Sequence, residues 1–299
     1  MALLIITTIL WAFSFSLIGE YLAGSVDSYF SVLMRVGLAA LVFLPFLRTR
    51  GQSPRTIVLY MLVGAMQLGI MYLLAFRAYI YLTVSEFLLF TVFTPLYITL
   101  IYDLLSGRKL RWGYLLSAAL AVLGAAIIRY DKVSDHFWTG LLLVQLSNLC
   151  FAIGMVGYKR LMEVRPMPQH NAFAWFYVGA FIVAVAAWFM LGNSQKLPTT
   201  TLQWSVLVWL GVVASGLGYF MWNYGATQVD AGTLGIMNNV HVPAGLLVNL
   251  AIWQEQPHWP SFISGALVIL ASLWVHRRWV APHSGQTAGD RRRGSAQSE

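Results

Sequence analysis

Residues 219–257 read YFMWNYGATQVDAGTLGIMNNVHVPAGLLVNLAIWQEQP. Two apolar segments flank a short turn that carries glycine. The first holds Tyr219, Trp222, Asn223 and Tyr224; the second holds Asn238, Asn239 and His241 just ahead of Pro243. Lipid offers no partner to an amide or an imidazole, so such groups inside an apolar segment are expected to face a protein interior or a cavity. The stretch therefore predicts a pair of membrane-spanning helices that contribute to an internal binding site.

The rest of the chain carries the same signature. Of 299 residues, 59% are hydrophobic and only 10% are charged. A soluble domain carries about 25% charged residues, so the composition predicts an all-α, polytopic membrane protein. The formal net charge is +8, but the basic residues lie in short connections between apolar runs, which is a topological pattern and not a nucleic-acid patch. Cys150 is the sole cysteine, so neither a disulfide nor a cysteine zinc site is expected. The N-terminus lacks a basic segment ahead of its apolar run, and residues 2–22 read as a retained span, although Ala23-Gly24-Ser25 has the small residues of a cleavage site.

A span needs about 20 apolar residues. Ten candidates meet this, near 2–22, 27–47, 56–76, 83–104, 112–129, 139–157, 172–191, 204–223, 232–252 and 260–280. Most of the Lys and Arg lie on one side: Arg48, Arg50 and Arg55; Arg108, Lys109 and Arg111; Lys159, Arg160 and Arg165; and Arg277, Arg278 and Arg291 to Arg293. Arg77, Arg129, Lys132 and Lys196 fall on the other, and Arg35 lies inside the second span. This bias predicts that both termini are cytoplasmic, consistent with an even number of spans. Residues 282–299 read as a polar, disordered cytoplasmic tail.

An internal repeat is the second organising feature. Phe76-x-Ala78 precedes Pro95 by the same interval as Tyr224-x-Ala226 precedes Pro243. The two events fall in spans three and four, and in spans eight and nine. Five spans per half is odd, so the halves, 1–131 and 132–281, are expected to insert with opposite orientation, as in many secondary transporters.

Several motifs carry a family resemblance. Trp11-Ala12-Phe13-Ser14-Phe15, the run MRVGLAALVFLPFL at 34–47 with Arg35 and Pro45, the prolines Pro95 and Pro243, and Glu255 near the end of span nine resemble the drug/metabolite transporter superfamily in its EamA-type branch. Gly107-Arg108-Lys109-Leu110 departs from the Gly-Glu-Arg-Leu often found there, which breaks the symmetry with Glu255. YLTVSEFLLF, QVDAGTLGIMNN and HVPAGLLVNLAIW are similar to the carboxylate and amine subgroup. The resemblance implies a ten-helix, multi-pass carrier of the bacterial inner membrane that imports biotin. Composition and spacing say nothing of biotin.

The intramembrane polar residues are the candidate site. Arg35 lies about 12 Å into span two at 1.5 Å per residue, where an arginine needs a partner. It can meet a substrate carboxylate or serve a structural pairing, the reading favoured by its presence in a motif shared across many substrates. Glu20, Arg77 and Glu86 fall near the outer ends of their spans and form a candidate gate, with Glu86 the candidate for proton coupling; three separate interfacial charges is the other reading. Gln145 and Asn148 share a helix face, as do Tyr219 and Asn223, and Asn238 and His241, with Asn239 offset. These amides either line a cavity or hydrogen-bond between helices. Trp11, Phe15, Tyr72, Tyr219 and Trp222 are candidates for an apolar wall, and Gly211, Ser215 and Gly218 for close helix contact. No paired carboxylates, phosphate loop or histidine pair at metal-ligand spacing exists, so no enzyme, ATP-driven pump, cofactor or metal is expected. The partners expected are a small-molecule substrate and the lipid bilayer, without nucleic acid. An exporter of amino acids, amines or other metabolites is the alternative, and a membrane enzyme or receptor a more distant one. Direction, energy coupling and oligomeric state are left open.

Overall fold

The computed structural model describes residues 2–105 and 135–229, with Leu120, Leu123 and separate positions between 234 and 274 that include 247–254. Among the described residues, seven helices are long and apolar enough to cross a bilayer: α1 (Ala2–Tyr21), α2 (Ser28–Phe46), α3 (Pro54–Ala78), α4 (Val84–Leu105), α5 (His136–Val164), α6 (Gln169–Leu191) and α7 (Thr201–Thr227). They match the expected spans one to four and six to eight. The expected spans 112–129, 232–252 and 260–280 lie outside the described residues, apart from isolated positions and a π-helical piece, Asn249–Trp253. Arg108, Lys109, Arg111, Arg129, Lys132 and the tail 282–299 lie outside them too.

Local chemistry sets the helix starts. The Asp27 carboxylate accepts the Phe30 N–H at 2.8 Å and caps α2. Ser53 caps α3, with Pro54 in the first turn, where its missing N–H costs nothing. Thr83 with Glu86 and Thr200 with Gln203 form capping boxes at α4 and α7, each satisfying two otherwise orphaned donors. Gly24 and Gly51, at φ +74° and +81°, turn the chain in the connections. The outer surface is apolar: Phe189 is 82% and Met190 80% exposed, which suits contact with lipid and not with water.

Helix α2 packs on α6 and α7, α3 on α5 and α6, α4 on α5, and α1 on α7. The α3–α6 contact is backbone to backbone. A Cβ on Gly64 would sit 1.9 Å from the Phe176 carbonyl oxygen, and one on Gly179 would sit 1.9 Å from the Met61 carbonyl oxygen. Gly211 of α7 is likewise tight against Leu38, the close helix contact expected of it, driven by packing because lipid supplies no hydrophobic force between helices.

Two irregularities were invisible in the hydropathy. Helix α3 becomes π-helical over Ala65–Ile70, and α7 does so over Leu210–Leu217. A π turn inserts a residue and redirects side chains, and is frequent at functional sites. In both helices a tyrosine, Tyr72 or Tyr219, stands two residues past the π segment. The third irregularity is a break in α4 at Val92–Phe93, just ahead of Pro95, which has no N–H to continue the ladder.

Candidate functional site

Helices α1, α2, α3, α4, α5 and α7 converge on a cavity of about 90 Å³. Its wall is largely aromatic. Trp11 sits with its ring 4.7 Å from Tyr219 and 5.1 Å from Trp222. Tyr72 meets Tyr219 edge to face at 5.7 Å. Phe15, Phe76, Phe87 and Phe151 add apolar surface.

The irregular backbone explains how these side chains are held. The π segment of α7 offers carbonyls that side chains from other helices take up. Trp11 donates its indole N–H to the Ala214 carbonyl at 3.0 Å. The Tyr177 hydroxyl of α6 donates to the Ser215 and Gly216 carbonyls. At the α4 break, the Thr94 hydroxyl donates to the Thr91 carbonyl at 2.7 Å, the group that an N–H at position 95 would have served. The Phe90 carbonyl accepts from Asn148 Nδ2 at 3.0 Å and from Gln145 Nε2 at 3.3 Å. Ser147 donates to the Met71 carbonyl. The cavity wall is thus built by spending most of its polar groups on helix defects, as buried backbone groups require.

Arg35 is the centre of the site's electrostatics. It is 3% exposed. Its Nε donates to Ser215 Oγ at 3.1 Å and its Nη2 to the Tyr72 hydroxyl at 2.8 Å. Those two oxygens are 2.9 Å apart and hydrogen-bonded, closing a triangle. The guanidinium carbon lies 4.2 Å from the Tyr72 ring centre, a cation–π contact that needs no carboxylate. Among the described residues no carboxylate pairs with Arg35, and Nη1 makes no hydrogen bond.

Of the residues expected at the site, Trp11, Arg35, Tyr72, Asn148, Tyr219 and Asn238 line this cavity together. Gln145 stands behind Asn148, accepting from the Tyr97 hydroxyl at 3.1 Å. Asn223 is turned away: its Oδ1 accepts from Gln67 Nε2 at 3.1 Å and its Nδ2 donates to the Tyr219 carbonyl. It joins α7 to the π segment of α3. Asn239 and His241 lie outside the described residues. Glu20 is exposed at the end of α1. The Arg77 guanidinium lies 6.0 Å from the Tyr29 ring centre. Glu86 is buried, and its Oε2 accepts the Thr83 N–H at 2.9 Å to start α4. Ser215, read from sequence as a packing residue, is an Arg35 partner; its spacing of four before Tyr219 on one helix face was the available signal. Tyr79 and Thr91 also line the cavity, and nothing in the sequence distinguished them from interfacial or packing residues. Among the described residues, no three His, Cys, Asp or Glu side chains gather to hold a metal.

Among the described residues, seven apolar helices, six of them around an aromatic slot that holds one cation, define a polytopic helical membrane protein with an internal cavity. The profile of the EamA-like transporter family matches residues 1–130 and again 138–277, and the chain belongs to this family. It is a transporter, not an enzyme. It is 82% identical over all 299 residues, and over the whole of that chain, to the curated "Biotin transporter" of Escherichia coli (strain K12). It is 55% identical over 279 residues, 93% of this chain and 97% of the other, to the "Probable biotin transporter" of Pseudomonas aeruginosa. A solved crystal structure only 17% identical, covering 92% of this chain and 95% of its own, superposes with a TM-score of 0.64, a likeness of fold.

Proposed function

We propose that this chain carries biotin across the bacterial inner membrane by alternating access, with the aromatic cavity as the substrate site. Ten helices in two inverted five-helix repeats, 1–131 and 132–281, form the carrier, with both termini in the cytoplasm. Support for the repeat comes from the two adjacent family matches and from the paired π segments that precede Tyr72 and Tyr219. Support for the substrate comes from full-length identity to curated relatives of that name.

The single observation that carries the site is Arg35, buried and hydrogen-bonded but without a carboxylate partner among the described residues. Such a cation is costly in a membrane interior until an anion joins it. Biotin brings a carboxylate, an aliphatic chain and a compact ring system. The carboxylate meets Arg35, and Trp11, Tyr72 and Tyr219 enclose the apolar part. Asn148 holds the α4 break in shape.

The test is saturable uptake of labelled biotin in cells lacking any other biotin route. Expression of this chain restores it, and Arg35→Gln abolishes it while the protein stays in the membrane. Uptake no different from empty cells would refute the substrate.

A further inference from the structure

The cavity wall carries two polar groups that the protein leaves unused. Asn238 is 1% exposed and Tyr79 6%, and among the described residues neither the Asn238 Nδ2 nor the Tyr79 hydroxyl has a hydrogen-bond partner. Both line the cavity. An unsatisfied buried donor costs about 1–3 kcal/mol, so each such group calls for an explanation. Apart from Arg35, most other polar side chains of the wall have their donors engaged. Its threonines and serines donate to helix carbonyls, Trp11 to Ala214, and Asn148 to Phe90. Tyr72 is taken by Arg35 and Ser215.

The geometry of the Asn238 group is specific. A carboxamide presents one N–H donor beside one carbonyl acceptor. Its complement is a cis-amide edge, in which a C=O and an N–H lie side by side, as in a cyclic urea or a lactam. Such an edge forms two parallel hydrogen bonds with the amide. Tyr79 is stacked on Phe87 with ring centres 4.2 Å apart and planes 18° apart, so its hydroxyl is held on a rigid ring at the end of α3.

We propose that Asn238 and Tyr79 are the specificity-determining residues of the cavity, with the Asn238 carboxamide pairing two-point with the cis-amide edge of a cyclic urea and the Tyr79 hydroxyl donating to a further acceptor on the same ligand. This rests on the biotin reading above: Arg35 fixes the anionic end and these two residues read the ureido end. A carrier using Arg35 and aromatic walls alone would accept any apolar carboxylate; this arrangement rejects those without the ureido edge.

The test is competition against labelled biotin uptake by 2-iminobiotin, whose protonated ring presents an N–H donor where biotin has its carbonyl acceptor. Wild type prefers biotin by about tenfold or more, the size of one good hydrogen bond plus an unpaired partner. Asn238→Asp turns the amide donor into a second acceptor, which suits the two N–H groups of the iminobiotin edge, and reverses the preference. Asn238→Ala abolishes the preference, and carries the test if the aspartate variant is absent from membranes by immunoblot. Tyr79→Phe, which removes the hydroxyl alone, raises KM for biotin about tenfold. A purely structural role for Asn238 would change the amount of protein and leave the analogue ratio alone. Wild-type analogue ratio in both Asn238 variants, with wild-type KM in Tyr79→Phe, overturns the assignment while leaving biotin transport intact. Absence of saturable uptake in the wild type itself overturns the biotin reading and this proposal with it.

Discussion

Tyr72→Phe removes one oxygen from the Arg35 triangle and little else. The hydroxyl accepts from Arg35 Nη2 at 2.8 Å and shares a hydrogen bond with Ser215 Oγ at 2.9 Å. A hydrogen bond to a charged group contributes about 1.5–3 kcal/mol and a neutral one about 0.5–1.5 kcal/mol. The ring remains 4.2 Å under the guanidinium, so the cation–π contribution of about 0.5–2 kcal/mol is kept. Ser215 still accepts from Nε at 3.1 Å. Because the two bonds share one hydroxyl and do not add fully, the expected loss is about 2–3 kcal/mol of Arg35 positioning. At about 1.4 kcal/mol per tenfold, this is a rise of about 30- to 150-fold in KM for biotin, with the protein still present in membranes. Ser215→Ala removes the other arm of the same triangle. Because the two share Arg35, the double variant falls short of the sum of the singles, as expected for residues in one network. The assay is initial-rate uptake over a substrate series, normalised to membrane protein. Wild-type KM in Tyr72→Phe, or strict additivity with Ser215→Ala, would refute the view that the triangle aims Arg35 at the substrate.

Gly179→Ala places a methyl 1.9 Å from the Met61 carbonyl oxygen, so α3 and α6 must part; overpacking of this kind costs about 1–3 kcal/mol or more, read as a lower melting temperature in detergent. Gly64→Ala, facing Phe176 across the same contact, behaves alike. Asn223→Ala leaves Gln67 Nε2 without its 3.1 Å partner, beside an Oε1 that already has none; the expected result is a loss of about 1–3 kcal/mol in stability, with KM for biotin nearly unchanged. Glu86→Gln keeps an acceptor for the Thr83 N–H and so keeps the capping box, whereas Glu86→Ala costs about 1 kcal/mol; uptake by the glutamine variant retains the wild-type pH profile, and a flattened profile would return Glu86 to proton coupling.

The spans were legible because burial in lipid is a one-dimensional property: about 20 apolar residues in a row suffice. Charge asymmetry and the matched intervals to Pro95 and Pro243 could be read the same way. The amides were legible as exceptions, since Asn148, Asn223 and Asn238 stand out in apolar runs. Their roles were not. Asn148 and Asn223 sit on similar backgrounds, yet one holds a broken helix at the cavity wall and the other clasps Gln67 behind it.

The sequence by itself determined a helical membrane protein, its family, and a short set of polar residues too costly to face lipid. The tertiary structure decided which of those residues have their hydrogen bonds consumed by the protein. That depends on the π segments of α3 and α7 and the α4 break, which create stray carbonyls, and on which helices approach closely enough to serve them. Ser215 became an Arg35 partner because α2 and α7 pack together there, and Tyr79 and Asn238 keep unpaired groups because no partner among the described residues answers them. Hydropathy records what a side chain is; only packing across the bundle records whether its hydrogen bonds are already made.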